Sequence, residues 1–141
     1  MDSVRGLTER LFEPAVRRSF LALWAAAWLV VTVLLLMPVP GGVPEGADKA
    51  VHFLIFAGLA FGAVSFSHRA GQLSGLALLT IAGGTALEFA QRLTPWRTFD
   101  LTDAAANALG ATSGYALALI VLWLWVQPAD PSQQVPVRAA R

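Results

Sequence analysis

The stretch FLALWAAAWLVVTVLLLM, residues 20–37, is eighteen residues long and contains no charged side chain. An apolar helix of this length crosses the roughly 30 Å hydrocarbon core of a bilayer. Arg17 and Arg18 precede the run, and Pro38 and Pro40 follow it. A signal peptide is the competing interpretation, because RRSFL resembles the start of a twin-arginine export signal. No A-x-A-like cleavage site follows, and the run is longer than a usual signal-peptide core, so we predict a retained transmembrane helix.

The composition of the whole chain also indicates a membrane protein. Of its 141 residues, 56% are hydrophobic and 13% are charged, whereas soluble domains carry about 25% charged residues. Three more apolar runs follow, at residues 51–66, 73–93 and 104–126. The sequence therefore predicts an all-α, integral membrane four-helix bundle that forms one domain at residues 20–126.

The two ends of the chain differ from these runs. Residues 1–19 contain four arginines and three acids, and we predict a cytoplasmic or interfacial segment there. Residues 127–141 are rich in Pro, Gln and Ala, which is typical of a disordered tail. With both termini on one side, that side holds seven of the ten Lys and Arg side chains. Since cytoplasmic loops are enriched in Lys and Arg, we predict cytoplasmic N and C termini.

Several function classes are disfavoured by the composition. The chain has no cysteine, which excludes disulfides, thiolate chemistry and Cys-based metal sites. Its net charge of +1 gives no support for a nucleic-acid partner, which usually requires a basic face. The patterns G-x-S-x-G, H-E-x-x-H and the P-loop are also missing from the sequence, so no catalytic residue is assigned.

The rare polar side chains of the third run lie near its C-terminal end. Glu88 and Gln91 are three residues apart and share a face of the helix, which Gly84 continues. An ionised carboxylate inside a membrane is costly, so Glu88 is expected to face the bundle interior and to find a partner there.

The fourth run repeats this arrangement at its N-terminal end. Asp103, Asn107, Gly110 and Gly114 follow one another at spacings of four, three and four, which places them on one stripe of a helix. The two glycines allow another helix to approach closely. The alternatives to ligand binding are that Asp103 caps the helix together with Thr102 and that Asn107 makes an interhelical hydrogen bond.

The second run and the last loop add the remaining charged residues. Asp48 and His52 are four apart, and Asp48 either caps the helix or orients the His52 ring. Arg97 either anchors the chain among lipid phosphates or reaches into the pocket. Asp100 is interpreted as a solvated loop acid that pairs with Arg97. Acids, amides and a histidine from three helices would then lie at one depth.

These residues resemble the pattern of the VanZ-like family of small bacterial membrane proteins. The family pattern opens with D-K-x-x-H-F-x-x-[FY] and continues with E-x-x-Q, an arginine and D-x-x-D-x-x-x-N-x-x-G-x-x-x-G. This chain carries DKAVHFLIF at residues 48–56 and the later positions between Glu88 and Gly114. The resemblance implies a protein of the bacterial inner membrane with about four spans. It also implies a link to low-level resistance to teicoplanin, a glycopeptide with a lipid tail.

The predicted site combines the polar residues of the three helices with the cations near them. The predicted ligand-binding residues are Asp48, Lys49, His52, Glu88, Gln91, Arg97, Asp100, Asp103 and Asn107. The predicted helix-packing residues are Gly84, Gly110 and Gly114.

Three functions fit this site. The favoured one is an outward-facing pocket for a membrane lipid, a lipid-linked glycan or a lipoglycopeptide, in which Lys49, Arg92 and Arg97 attract phosphate. The second is a membrane-embedded enzyme, in which His52 acts as a base or shares a metal with Glu88 and Asp103. The third is a scaffold for another membrane protein. The favoured function requires no metal and no cofactor.

Overall fold

Four helices make up the chain over the residues that the computed structural model describes, 13–38, 46–67, 69–97 and 99–125. In chain order they are α1 (Pro14–Leu36), α2 (Ala47–Gly62), α3 (Ala70–Gln91) and α4 (Leu101–Trp125), and a short 3-10 turn (Ala63–Ser65) continues α2. Each is long and apolar enough to cross a membrane, α2 together with its 3-10 turn. The predicted all-α membrane bundle with four helices is confirmed. The predicted tail at 127–141 and the first twelve residues lie outside the described residues.

Local sequence explains why the helices start where they do. α1 begins at Pro14, six residues before the predicted span, because proline in the first turn has a helical φ and needs no hydrogen-bond acceptor. Gly46 precedes α2 with a φ of 80°, a conformation that favours glycine. α4 begins at Leu101, where the carboxylate of Asp100 accepts a hydrogen bond of 2.8 Å from the backbone N–H of Thr102. The N-cap of α4 is therefore Asp100 and not Asp103.

The helices alternate in direction. The side chain of Arg17 in α1 donates to the carbonyl of Phe66, just after the 3-10 turn, and Trp24 donates to Leu59 in α2, so α1 and α2 are antiparallel. Gln91 at the end of α3 contacts Leu35 at the end of α1, and His52 near the start of α2 contacts Asn107 near the start of α4. One end of the bundle is therefore formed by the C-termini of α1 and α3 and the N-termini of α2 and α4. We call this the polar end.

The closest helix contact joins α2 and α4, which run parallel to each other. A Cβ atom added to Gly110 would clash with the carbonyl oxygen of Phe53, and one added to Gly114 would clash with the carbonyl oxygen of Ala57. The backbones of α2 and α4 are therefore in direct contact, a close approach that small residues permit between membrane helices. This contact fixes the separation of α2 and α4 next to the polar end.

The outer surface of the bundle is apolar. Leu23, Leu54, Leu78 and Leu109, one from each helix, are 63–67% exposed, and the buried side chains include several polar ones. This distribution suits a lipid environment, where apolar side chains face the hydrocarbon and polar groups face the protein interior.

Candidate functional site

Three side chains from three helices form a buried floor at the polar end: His52 from α2, Glu88 from α3 and Asn107 from α4. His52 Nδ1 lies 2.9 Å from Asn107 Oδ1 and 3.3 Å from Glu88 Oε1. Asn107 Nδ2 donates to Glu88 Oε1 at 3.2 Å and to the carbonyl of Gly84 at 3.5 Å. Because both neighbours of His52 Nδ1 are acceptor oxygens, this nitrogen carries the ring proton in this arrangement.

One oxygen of the floor has no hydrogen-bond partner. Glu88 is 0% exposed, and its Oε2 is one of two buried side-chain atoms without a partner in the described part of the chain, the other being Trp28 Nε1. A buried polar atom without a partner costs about 1–3 kcal/mol. The floor is therefore satisfied on its Asn107 side and unsatisfied at this oxygen.

A rim of charged side chains lies beside the floor and centres on Lys49. Lys49 Nζ is 3.2 Å from Asp100 Oδ2, 3.2 Å from Asp103 Oδ1 and 3.6 Å from Asp48 Oδ2. The side chains of Lys49 and Asp100 are 40% and 42% exposed, whereas that of Asp103 is 7% exposed. The rim is therefore open to the surroundings, and Asp103 connects it to the floor.

Asp100 has a strongly perturbed acidity. The hydroxyl of Thr102 donates to Asp100 Oδ1 at 2.7 Å, and the backbone N–H of Thr102 and the Lys49 ammonium donate to the same carboxylate. In that order of importance, these donors lower the pKa of Asp100 to about 2, since each stabilises the ionised form. Asp100 is thus a firmly ionised cap whose negative charge also helps to hold Lys49.

Three buried residues of the site have the right chemistry to hold a cation. One ligand atom each from His52, Glu88 and Asp103 lies within 4.8 Å of the other two. An imidazole with two carboxylates is a donor set that suits divalent transition metals. From the sequence, this combination is expected only under the less favoured enzyme hypothesis.

Two predicted site residues have partners other than those expected from the sequence. Asp48 accepts a hydrogen bond from the backbone N–H of Lys49 at 2.9 Å, and no bond joins it to His52 among the described residues. The partner of Asp100 is Lys49 and not Arg97. Both acids therefore belong to the rim.

Arg97 and Gln91 do not join the cluster. Arg97 is half-buried and makes no ion pair or hydrogen bond with any residue that the structure describes. Gln91 is buried and donates to the carbonyl of Leu35 in α1 at 3.0 Å. The structure thus brings together Lys49, His52, Glu88, Asp100, Asp103 and Asn107, with Asp48 at the edge.

Sequence reasoning missed how the C-terminus of α1 is satisfied. Besides Gln91, the indole of Trp96 donates to the carbonyl of Leu36 at 3.0 Å. The last carbonyls of a helix have no partner within the helix, so these two side chains attach α1 to the polar end. The available signal was the general need of those carbonyls for donors, which does not identify the donor.

Comparison with known families identifies the chain. The sequence model of a family described as VanZ/LLP1 matches residues 8–123. The chain belongs to the VanZ/LLP1 family. The match includes every residue of the floor and the rim, and it confirms the resemblance read from the sequence. No curated protein and no solved structure matches the chain significantly.

Family membership and the four apolar helices make this VanZ/LLP1 protein a multi-pass membrane protein. The positions that carried the resemblance are concentrated at the polar end. His52 and Asn107 are 2.9 Å apart although 55 residues separate them in sequence. The VanZ-like pattern in this chain therefore includes side chains that meet in space.

Proposed function

We propose that this VanZ/LLP1 protein binds the polar headgroup of an amphipathic ligand, a membrane lipid or lipid-linked glycan, at the polar end. The observation that carries the proposal is that the charged side chains become more buried from the rim to the floor. The side chains range from 42% exposed at Asp100 in the rim to 0% exposed at Glu88 in the floor. An ionisable residue inside a membrane is expected by default to belong to a functional site.

The donors and acceptors of the site suit a headgroup that carries hydroxyls and phosphate. The carboxylates of the rim and the floor accept hydrogen bonds from hydroxyl groups. Arg97 has no ionic partner among the described residues, so its guanidinium is available for a bidentate contact with phosphate. Four helices in a bilayer also leave the ligand's acyl chains in the hydrocarbon while the headgroup binds. A lipoglycopeptide, with sugars and a lipid tail, is a special case of this chemistry and would link the site to glycopeptide susceptibility.

A pure scaffold accounts less well for the floor. In a scaffold, polar side chains would hold helices together and each would be satisfied. Asn107 fits that description, because it joins α2, α3 and α4 through His52, Glu88 and Gly84. Glu88 does not, because its Oε2 is buried without a donor. A membrane-embedded enzyme remains the second candidate, supported by the grouping of His52, Glu88 and Asp103.

Lipid retention during purification tests the proposal. Wild type, Arg97→Ala and Lys49→Ala would be purified in a mild detergent, and the copurifying lipids would be quantified by mass spectrometry. Arg18→Ala is the matched control, since Arg18 is exposed near the opposite end of α1. We expect both test variants to lose about tenfold or more of one lipid class, because charge-assisted hydrogen bonds contribute about 1.5–3 kcal/mol.

The same lipid class should remain at wild-type level in Arg18→Ala. Identical lipid profiles in all four proteins would contradict the proposal. Reconstitution into nanodiscs of phosphatidylglycerol or phosphatidylcholine, with and without a polyprenyl phosphate, would then identify the headgroup that the cluster prefers.

A further inference from the structure

The polar end contains more negative charge than the described residues around it neutralise. Asp48, Asp100, Asp103 and Glu88 supply four carboxylates, and Lys49 is the one lysine or arginine that the described structure pairs with any of them. In a membrane, such an excess is unfavourable unless a further cation or a proton neutralises it. The imbalance is greatest at the buried end, where Glu88 and Asp103 are 0% and 5% exposed.

We infer that His52, Glu88 and Asp103 form a binding site for a divalent transition-metal cation. The three side chains come from three different helices, and one donor atom of each lies within 4.8 Å of the other two. A divalent cation balances the two carboxylates and makes the buried group neutral. This inference departs from the sequence-based prediction of no metal.

The unpaired oxygen of Glu88 is a second observation that points to a cation. Oε1 of Glu88 accepts from Asn107 Nδ2 at 3.2 Å, whereas Oε2 has no donor. In metal-binding carboxylates, one oxygen is usually oriented by a hydrogen bond from a second residue while the carboxylate binds the metal. Glu88 has the same arrangement, because an amide holds one of its oxygens and the other has no donor. A cation at Oε2 satisfies the atom that no described residue satisfies.

Asn107 is the positioning residue of this site. It accepts from His52 at 2.9 Å and donates to Glu88, so it fixes the direction of two of the three ligands. Loss of such an orienting partner typically lowers metal affinity by about 10–100-fold while the ligands themselves remain. Asn107 thus offers a variant in which weakened affinity, not lost affinity, is the expected result.

The identity of the donors selects the class of metal. The imidazole ligand favours Fe²⁺ or Zn²⁺ over Mg²⁺ and Ca²⁺, which prefer oxygen ligands alone, and the two carboxylates also suit Mn²⁺. Three protein ligands leave at least one coordination position open. A phosphate or hydroxyl oxygen of a headgroup can occupy that position, which would let an acidic site bind an anionic ligand. This last step rests on the proposed function, whereas the metal site does not.

Metal titration of the purified full-length protein tests the inference. The protein in detergent would be treated with EDTA, exchanged into metal-free buffer and titrated with Mn²⁺ by electron paramagnetic resonance and with Zn²⁺ by calorimetry. We expect one ion per chain in the wild type and no stoichiometric binding in Glu88→Gln or His52→Ala. Asn107→Ala should bind about 10–100-fold more weakly.

Gln91→Ala is the matched control, because Gln91 is buried at the same end but bonds to Leu35 instead of the cluster. It should bind metal as the wild type does. Circular dichroism would verify that each variant is folded. If His52→Ala does not fold, nitrogen modulation in the pulsed spectrum of Mn²⁺ bound to wild type reports imidazole coordination directly.

Absence of stoichiometric binding in the wild type, or undiminished binding in Glu88→Gln, would overturn the inference. Lipid retention measured after EDTA treatment separates it from the proposed function. Lipid binding without metal binding would refute the metal site and leave the headgroup proposal intact. Metal binding without any selective lipid would refute the headgroup proposal and leave the metal site intact.

Discussion

Replacing Gly110 with alanine should push α2 and α4 apart and disturb the site as well as the fold. A Cβ at position 110 would lie 2.9 Å from the carbonyl carbon of Phe53 and 3.0 Å from its Cα. Non-bonded carbons pack best at about 3.5–4.0 Å, so the backbones must separate by at least about 0.5 Å. No side-chain rotation relieves the overlap, because the atoms that Cβ meets belong to the backbone of α2.

The size of the effect follows from three contributions. Overpacking costs about 1–3 kcal/mol. The separation also stretches the His52–Asn107 hydrogen bond from 2.9 Å to about 3.4 Å, beyond the usual limit of about 3.2 Å, and such a membrane hydrogen bond contributes about 0.6 kcal/mol. Replacing Gly with Ala returns about 1 kcal/mol of helix propensity. We therefore expect Gly110→Ala to lower the free energy of unfolding by about 1–2 kcal/mol.

Unfolding by sodium dodecyl sulfate in mixed micelles, followed by circular dichroism and tryptophan fluorescence, measures this loss. Gly58→Ala is the control, because a Cβ at Gly58 in α2 meets nothing within 4 Å and should add up to about 1 kcal/mol. The double variant Gly110→Ala/Gly114→Ala should cost less than the sum of the single variants, since one separation relieves both overlaps. If Gly110→Ala proves as stable as Gly58→Ala, the argument that backbone contact sets the distance between α2 and α4 is wrong.

Two other predictions concern the attachment of α1 and the acidity of the rim. Gln91→Ala and Trp96→Phe each remove the donor to a C-terminal carbonyl of α1. Each variant should lower the free energy of unfolding in the same assay by about 0.5–1.5 kcal/mol. No loss of stability in either variant would argue against this attachment of α1. The pKa of Asp100 is lowered from 3.8 to about 2, so its ionised form stabilises the fold above about pH 4, and that contribution is lost as the pH falls to about 2. The thermal stability of the wild type should therefore fall across this pH window, and that of Asp100→Asn should fall less. Parallel pH profiles of the two proteins would show that Asp100 has no such role.

The number and approximate positions of the helices could be predicted from the sequence because a bilayer sets the length of an apolar run. The start of α4 does not follow from the apolar run alone. The run begins at residue 104, whereas the helix begins at Leu101, where the side chain of Asp100 satisfies the backbone N–H of Thr102. Apolar runs mark the membrane core, and capping side chains mark the helix ends outside it.

The face that the polar residues share follows from the sequence, but the pairing among them does not. Helical spacing places Asp103 and Asn107 on one face, yet it does not determine which helix that face meets. The partner of Asp100 is Lys49 because α4 packs directly against α2. The spacing of three residues from Glu88 predicts that Gln91 belongs to the cluster, but three residues turn a helix by about 300°. The remaining rotation directs its side chain to α1.

The polar cluster and the close helix packing are parts of one interface. Asn107 lies one turn before Gly110 on α4, and Gly84 lies one turn before Glu88 on α3. A Cβ on Gly84 would lie 2.7 Å from the ring of Phe56 and 3.1 Å from Cβ of Asn107. The missing side chains on α3 and α4 therefore let these helices approach α2 closely enough for the three buried polar groups to meet. Substituting either glycine should weaken the cluster even though every polar residue is retained, because the short interhelical distances depend on the glycines.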